Sequence, residues 1–298
     1  MKKNFLCLIL IILILTSCTG KKEKLKKGLD NEENLNILTN INDLAIDTFI
    51  AKAKDNPVSN DNLKTDLSTN YKSDNKSELI LNIKKEINNN PKAKWVYDNF
   101  YKINDVDAYL SGNDLDTIEF VYNMNNNITK FPYSEGESLK LNRKTPMYLQ
   151  WDNRWAYNKL GDRNIGVNGC GPTSMAMILS RLKDDPSITP DKVAEDAKTY
   201  MVAEGISWNF FNDYKNKYNY NIENVNLDEN LMKKALEKGP LLVSVKKGYF
   251  TLYGHLFVID SYKDGKFLIN DPNSIKNSKR EWSFDEIKDQ IIHIWSIY

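Results

Sequence analysis

From residue 172 to residue 238 one helical pattern follows another with no strand between them, and from 241 onward short β-rich runs take over. Helices are read at Pro172–Leu182, Pro190–Ala203, Trp208–Tyr218 and Leu227–Lys238. Strands are read at Leu241–Lys246, Leu256–Tyr262 and Lys266–Asn270, then a short helix at Ser283–Lys288 and a last strand at Ile291–Ser296. Parallel βαβ units need strands and helices in alternation. This succession therefore predicts an α+β domain with a largely antiparallel sheet joined by hairpins.

The run Leu256-Phe257-Val258-Ile259-Asp260-Ser261-Tyr262 is folded back by Asp264-Gly265 onto Lys266-Phe267-Leu268-Ile269-Asn270-Asp271-Pro272. Two registers are open. A two-residue turn pairs Lys263 with Lys266 and puts Asn270 on the face of His255. A three-residue loop with Gly265 in the left-handed region pairs Tyr262 with Lys266 and Phe257 with Asp271, so that Asp271 shares that face. Diagonal neighbours on one face lie roughly 7 to 8 Å apart, within side-chain reach. The three-residue loop is the favoured expectation, and Pro272, with no N–H to donate, ends the pairing.

The chain has three cysteines, and two fall in its first eighteen residues. Lys2 and Lys3 precede an apolar stretch, Phe5 to Leu15, too short to span a bilayer, followed by Thr16-Ser17-Cys18. Leu15-Thr16-Ser17-Cys18 resembles the bacterial lipobox. That resemblance implies a signal peptide over 1–17, loss of Cys7 with it, and a lipid on Cys18 that holds the chain at the extracytoplasmic face of the cell membrane. Cys170 is then left without a disulfide partner in an oxidising setting, where structural cysteines normally pair.

Cys170 lies in Asn168-Gly169-Cys170-Gly171-Pro172-Thr173-Ser174-Met175. Pro172 suits the first position of a helix, which places the cysteine just before a helical N-terminus. The positive end of the helix and its unpaired N–H groups favour thiolate over thiol. A thiolate nucleophile needs a base, and the chain has two histidines. His293, within Ile291-Ile292-His293-Ile294-Trp295, reads as a structural side chain. His255 opens the hairpin strand, with Asn270 or Asp271 behind it as the orienting residue. Acyl transfer also needs donors for the oxyanion. The Cys170 N–H is one, and Gln150, otherwise an ordinary polar residue, is a candidate for the other.

Ahead of this domain, residues 18–76 read as a largely flexible tether. It carries a basic run at Lys21–Lys27, a weak amphipathic helix over Asn34–Lys54 and a polar linker from Val58. Residues 77–135 read as a helical region. Ser77 caps a stripe of Leu79, Ile80, Ile83 and Ile87, Pro91 opens a second helix, and Asn113 or Asp114 opens a third. The main domain occupies 140–298. With 41 Lys and Arg against 40 Asp and Glu, the net charge is +1, which gives no grounds for a nucleic-acid partner. Two histidines on distant segments offer no metal site and no glycine-rich cradle appears, so no cofactor is expected. The chain is expected to be a monomer.

Gln150-Trp151-Asp152-Asn153-Arg154-Trp155, Asn164-Ile165-Gly166, the Gly169–Met177 run, Gly254-His255 and Asn270-Asp271-Pro272 together resemble the peptidase C39-like domain. That domain is related to bacteriocin-processing cysteine peptidases and has a papain-like fold. The resemblance covers roughly Thr145 to Tyr298. It implies Cys170 as nucleophile, His255 as general base and acid, Asp271 as its orienting residue and Gln150 as oxyanion donor. The expectation is a surface-anchored cysteine peptidase or amide hydrolase that works through a thioester on a peptide or protein substrate. Two alternatives stand beside it: a non-catalytic binding lipoprotein of the same fold, and a transpeptidase or acyltransferase using the same residues. No transporter spans or nucleotide-binding motif accompany the domain, unlike the bacteriocin-processing members.

Overall fold

The structure, a computed structural model, describes residues 70–298 apart from residue 204. The signal segment, Cys7, Cys18, the basic run at 21–27 and the helix expected over 34–54 lie outside the described residues. A helical layer comes first: α1 (Lys76–Lys84), α2 (Pro91–Asn99), α3 (Asp105–Asn113) and, after a 3₁₀ turn at Leu115–Thr117, α4 (Ile118–Asn125). Asparagine side chains cap the first three, Asn75, Asn90 and Asn104 each accepting from backbone N–H groups of the first turn. Ser77, the expected cap, lies inside α1, and its N–H donates to Asn75 Oδ1 at 3.0 Å. The layer buries Leu79, Ile83, Ala93, Val96, Phe120 and Val121 together with Ala156 from the segment that follows.

The chain continues through the small hairpin β1 (Lys159–Leu160) and β2 (Arg163–Asn164) and the single turn α5 (Ile165–Asn168) into α6 (Cys170–Lys183). The helical layer is docked on this stretch. Arg163 pairs with Asp107 at 2.5 Å, and the Phe120 ring fills the space where a Cβ on Gly166 would lie, only 2.3 Å from it. α7 (Pro190–Ala197) stops six residues short of the expected end. Gly205, at φ +122°, lets the chain turn into a hairpin of β3 (Met201–Val202) and β4 (Gly205–Ile206), with Ser207 N–H donating to Tyr200 O.

The helix expected over 208–218 is divided into α8 (Asn209–Asp213) and α9 (Lys215–Tyr218). Then come β5 (Ile222–Asn224), α10 (Glu229–Leu236), β6 (Leu241–Val245), β7 (His255–Lys263), β8 (Lys266–Asn270), α11 (Ile275–Lys279), β9 (Glu281–Trp282), α12 (Phe284–Ile287) and β10 (Ile291–Ile297). The main sheet has the order β5-β10-β6-β7-β8-β9, and every neighbouring pair in it is antiparallel. This is the antiparallel α+β architecture that the succession of helices and strands predicts. Leu242, Leu256, Val258 and Trp295 pack on one side with Met175, Met177 and Leu179 of α6. Val243, Phe257, Phe267 and Trp282 form a second core on the other side with Met232 of α10. Two cores, one on each face, explain why these strands read as continuous apolar runs.

The hairpin departs from the favoured register at its turn. Asp264 and Gly265, at φ 50° and 82°, form a two-residue turn that pairs Lys263 with Lys266. By itself that register would set Asn270 on the face of His255. The ladder shifts, however, between Ile259↔Ile269 and Ser261↔Leu268, leaving Asp260 as an extra residue in a β-bulge. Beyond the bulge Val258 pairs with Asn270, so Asp271 falls level with Phe257 and returns to the face of His255. Asp260 is held in the bulge by partners distant in sequence. Its Oδ1 accepts from Thr145 N–H at 2.8 Å, and its carbonyl accepts from Arg181 Nη1 at 3.0 Å.

Candidate active site

Cys170 is the first residue of α6, with Gly169 in the capping position, rather than the residue before the helix. Pro172 is accordingly third, not first. The first intrahelical bond runs from Thr173 N–H to Gly169 O at 2.9 Å, so a residue without an N–H at Pro172 loses no hydrogen bond. The thiol therefore sits in the first turn, where the helix presents its positive end. Met175 to Leu179 are buried and fix α6 against the sheet, and Ser174 Oγ donates to Leu256 O at 3.2 Å, tying the first turn to β7. Cys170 is free and half-buried, with Ile206 of β4 close beside the adjoining Gly171.

His255 opens β7 and is buried. Its Nε2 lies 2.7 Å from Asp271 Oδ1. Asp271 is wholly enclosed and each of its carboxylate oxygens has a donor: Oδ1 also accepts from Asn273 N–H at 2.9 Å, and Oδ2 accepts from Asn277 Nδ2 at 2.8 Å. The Asp271 N–H donates to Ser278 Oγ at 2.9 Å. Asn270, the other orienting candidate, turns its amide away, donating to Thr145 O at 3.0 Å and accepting from Arg143 at 2.6 Å. Because Asp271 occupies Nε2, the ring nitrogen left to face Cys170 is Nδ1.

The three ionisable groups shift as one system. Burial favours the neutral form of each, and the charges of the neighbours outweigh it. Burial lowers His255, but the Asp271 carboxylate, then Cys170, raise it to about 10. Burial raises Asp271, but His255, Asn277 and the Asn273 N–H bring it below the usual carboxylate range. Burial pushes the Cys170 thiol up, but the hydrogen bond and charge of His255, with the backbone of Leu256 and Gly171, bring it below its ordinary value. All three shifts favour a thiolate beside an imidazolium backed by a carboxylate.

Gln150 is buried between the two halves of this arrangement. Its N–H donates to Pro272 O at 2.8 Å, next to Asp271, and its Nε2 donates to Gly166 O at 2.9 Å and to Val167 O at 3.3 Å, in α5, the helical turn that leads to Cys170. Its Oε1 is buried without a hydrogen-bond partner. The side-chain amide thus braces α5 as it stands. His293 is apart from the site, against Trp208 and Trp295, with Nε2 2.9 Å from Asn224 Oδ1. Asn277 and Ser278 were missed in the sequence because no element was read between Pro272 and Ser283. The signal available was Ser274, whose side chain caps α11. Among the described residues no group of three or more His, Cys, Asp or Glu side chains is placed to hold a metal ion.

The family model described as the Peptidase_C39 like family matches residues 143–298, a segment that contains Gln150, Cys170, His255 and Asp271. No curated protein and no solved structure matches the chain.

Proposed function

Because the chain belongs to the Peptidase_C39 like family, we propose that it is a cysteine peptidase whose nucleophile is Cys170, whose general base and acid is His255 and whose orienting carboxylate is Asp271. The observation that carries this reading is the 2.7 Å bond between His255 Nε2 and Asp271 Oδ1, which leaves Nδ1 to the thiol. The Cys170 sulfur attacks the amide carbonyl carbon and an S–C bond forms. As the tetrahedral intermediate collapses, His255 Nδ1 gives its proton to the leaving nitrogen, the C–N bond breaks, and an amine departs from a thioester. Water, deprotonated by the now neutral imidazole, attacks the thioester. The carboxylic acid product leaves and the thiolate–imidazolium pair is restored.

The Cys170 N–H, which makes no intrahelical bond, serves the oxyanion. Gln150 Nε2 joins it by giving up its longer bond, the 3.3 Å contact with Val167 O. A lipid on Cys18 would hold this body at the extracytoplasmic face of the membrane, where a peptide or protein substrate is met. The test is a peptide-library digest by the mature protein with Cys170→Ala as control. Products formed by the wild type alone support the reading, and equal ligand retention without product in either would point to a binding protein.

A further inference from the structure

The helical layer stands outside the family-matched segment, yet one of its buried carboxylates reaches the support of the site. Asp114, just after α3, has Oδ1 accepting from Ser274 Oγ at 2.8 Å and Oδ2 paired with Lys72 Nζ at 2.6 Å. Ser274 is the N-cap of α11, its Oγ accepting from Asn277 N–H at 3.3 Å. Asn277 in turn donates to Asp271 Oδ2 at 2.8 Å. The path from Asp114 to the imidazole thus runs through hydrogen bonds and one short turn of helix.

α11 has five residues, too few to persist without outside ties. A serine hydroxyl held by a buried carboxylate on one side and accepting from Asn277 N–H on the other has little freedom to turn. The chain that enters the layer is fastened at the same place. Lys72 N–H donates to Gly248 O at 2.8 Å, and the Tyr71 ring stands edge-on to Tyr249 at 4.5 Å. Tyr249 O is itself an acceptor for Asn277 Nδ2 at 3.3 Å. The last residues of the expected tether are therefore part of the body, and they converge on the side chain that holds Asp271.

Resting on the cysteine-peptidase reading, we propose that Asp114 is a positioning residue for the Cys170–His255–Asp271 set, acting through Ser274 and Asn277. Without the carboxylate, Ser274 turns away and α11 loosens. Asp271 Oδ2 then loses the Asn277 donor, the imidazolium is held less firmly and the thiolate forms at higher pH. Arg143, which donates to Ser278 O, and Trp282, which donates to Asn277 O at 3.0 Å, also hold α11 and are the competing explanation for its order.

The experiment is alkylation of the full chain with iodoacetamide across pH, read on the Cys170 peptide by mass spectrometry, with circular dichroism to establish folding. Asp114→Ala should move the profile upward by about half a pH unit or more, which slows alkylation at least about threefold at pH values below the wild-type midpoint. Asp114→Asn, which keeps an acceptor for Ser274 Oγ, should restore it. Ser274→Ala removes only a hydroxyl and should repeat the Asp114→Ala shift, which keeps the test open if Asp114→Ala does not fold. A depressed wild-type profile that neither variant moves overturns the positioning role alone and assigns α11 to Arg143 and Trp282. A wild-type Cys170 that titrates as an ordinary thiol overturns the peptidase reading and this inference with it.

Discussion

Replacing Asp271 with Asn keeps the shape of the side chain and removes its charge. His255 Nε2 and Asp271 Oδ1 are 2.7 Å apart. With charge centres about 4 Å apart and an effective dielectric of about 20, the attraction is about 4 kcal/mol, or about three pH units on the imidazole. His255 stands at about 10 in the intact site. A fall of about three units takes it to about 7, with burial already part of the starting value, and loss of the charge-assisted hydrogen bond to Asp271 takes it lower still. The thiol then loses its cationic partner near neutral pH, and its own burial drives it upward. Alkylation of Cys170 at about pH 6 should fall by about a hundredfold and recover only in the range of an ordinary thiol. Peptide hydrolysis should fall by about 10⁴, the scale seen when the orienting carboxylate of a Ser-His-Asp set becomes an amide. A folded Asp271→Asn protein with the wild-type alkylation profile would refute the reasoning, because the thiolate would then owe nothing to the buried carboxylate.

Hydrolysis by the wild type should follow a bell in kcat/KM, rising with a thiolate that forms below the ordinary thiol range and falling as His255 deprotonates toward about 10. A descending limb near neutral pH would contradict the raised imidazole. Gln150→Ala should lower kcat by about 10² to 10³ while leaving the alkylation profile of Cys170 in place, since the amide acts on the oxyanion and not on the thiol pair. Equal losses in both measurements would make Gln150 a brace for α5 only. Phe120→Ala empties the contact over Gly166 and should cost about 3 to 5 kcal/mol in urea unfolding, because the ring is fully buried where the helical layer docks. Gly265→Val sets a β-branched residue at φ 82° and should cost about 1 to 2 kcal/mol by the same measurement.

Several parts of this protein were legible from residue order and local chemistry. Helices before strands led to the antiparallel α+β architecture, and Pro91 took its predicted place at the start of α2. The pairing of Cys170 with His255 and Asp271 was likewise approached from the sequence, through the lone thiol, the hairpin face and the family likeness. α3 was not seen, because Gly112, Asn113 and the aspartates at 105 and 107 interrupt its apolar stripe. The support given to Asp271 by Asn277 was not seen either, because a five-residue helix leaves almost no periodicity to read.

The hairpin separates the two kinds of information most clearly. Residue order determines that Asp264-Gly265 turns the chain and that the strands beside it are apolar enough to be buried. It does not determine which of Asn270 and Asp271 meets His255. The turn taken at Asp264-Gly265 alone would bring Asn270 to the histidine. One extra residue, Asp260, reverses the outcome by bulging where Thr145 N–H and Arg181 engage it. A strand's faces alternate with every residue, so a single inserted residue exchanges them, and the groups that hold Asp260 out of the ladder come from segments about 80 and 115 residues away in the chain. Only the folded chain brings those segments together, and so only tertiary structure decided that a carboxylate, rather than an amide, stands behind the imidazole.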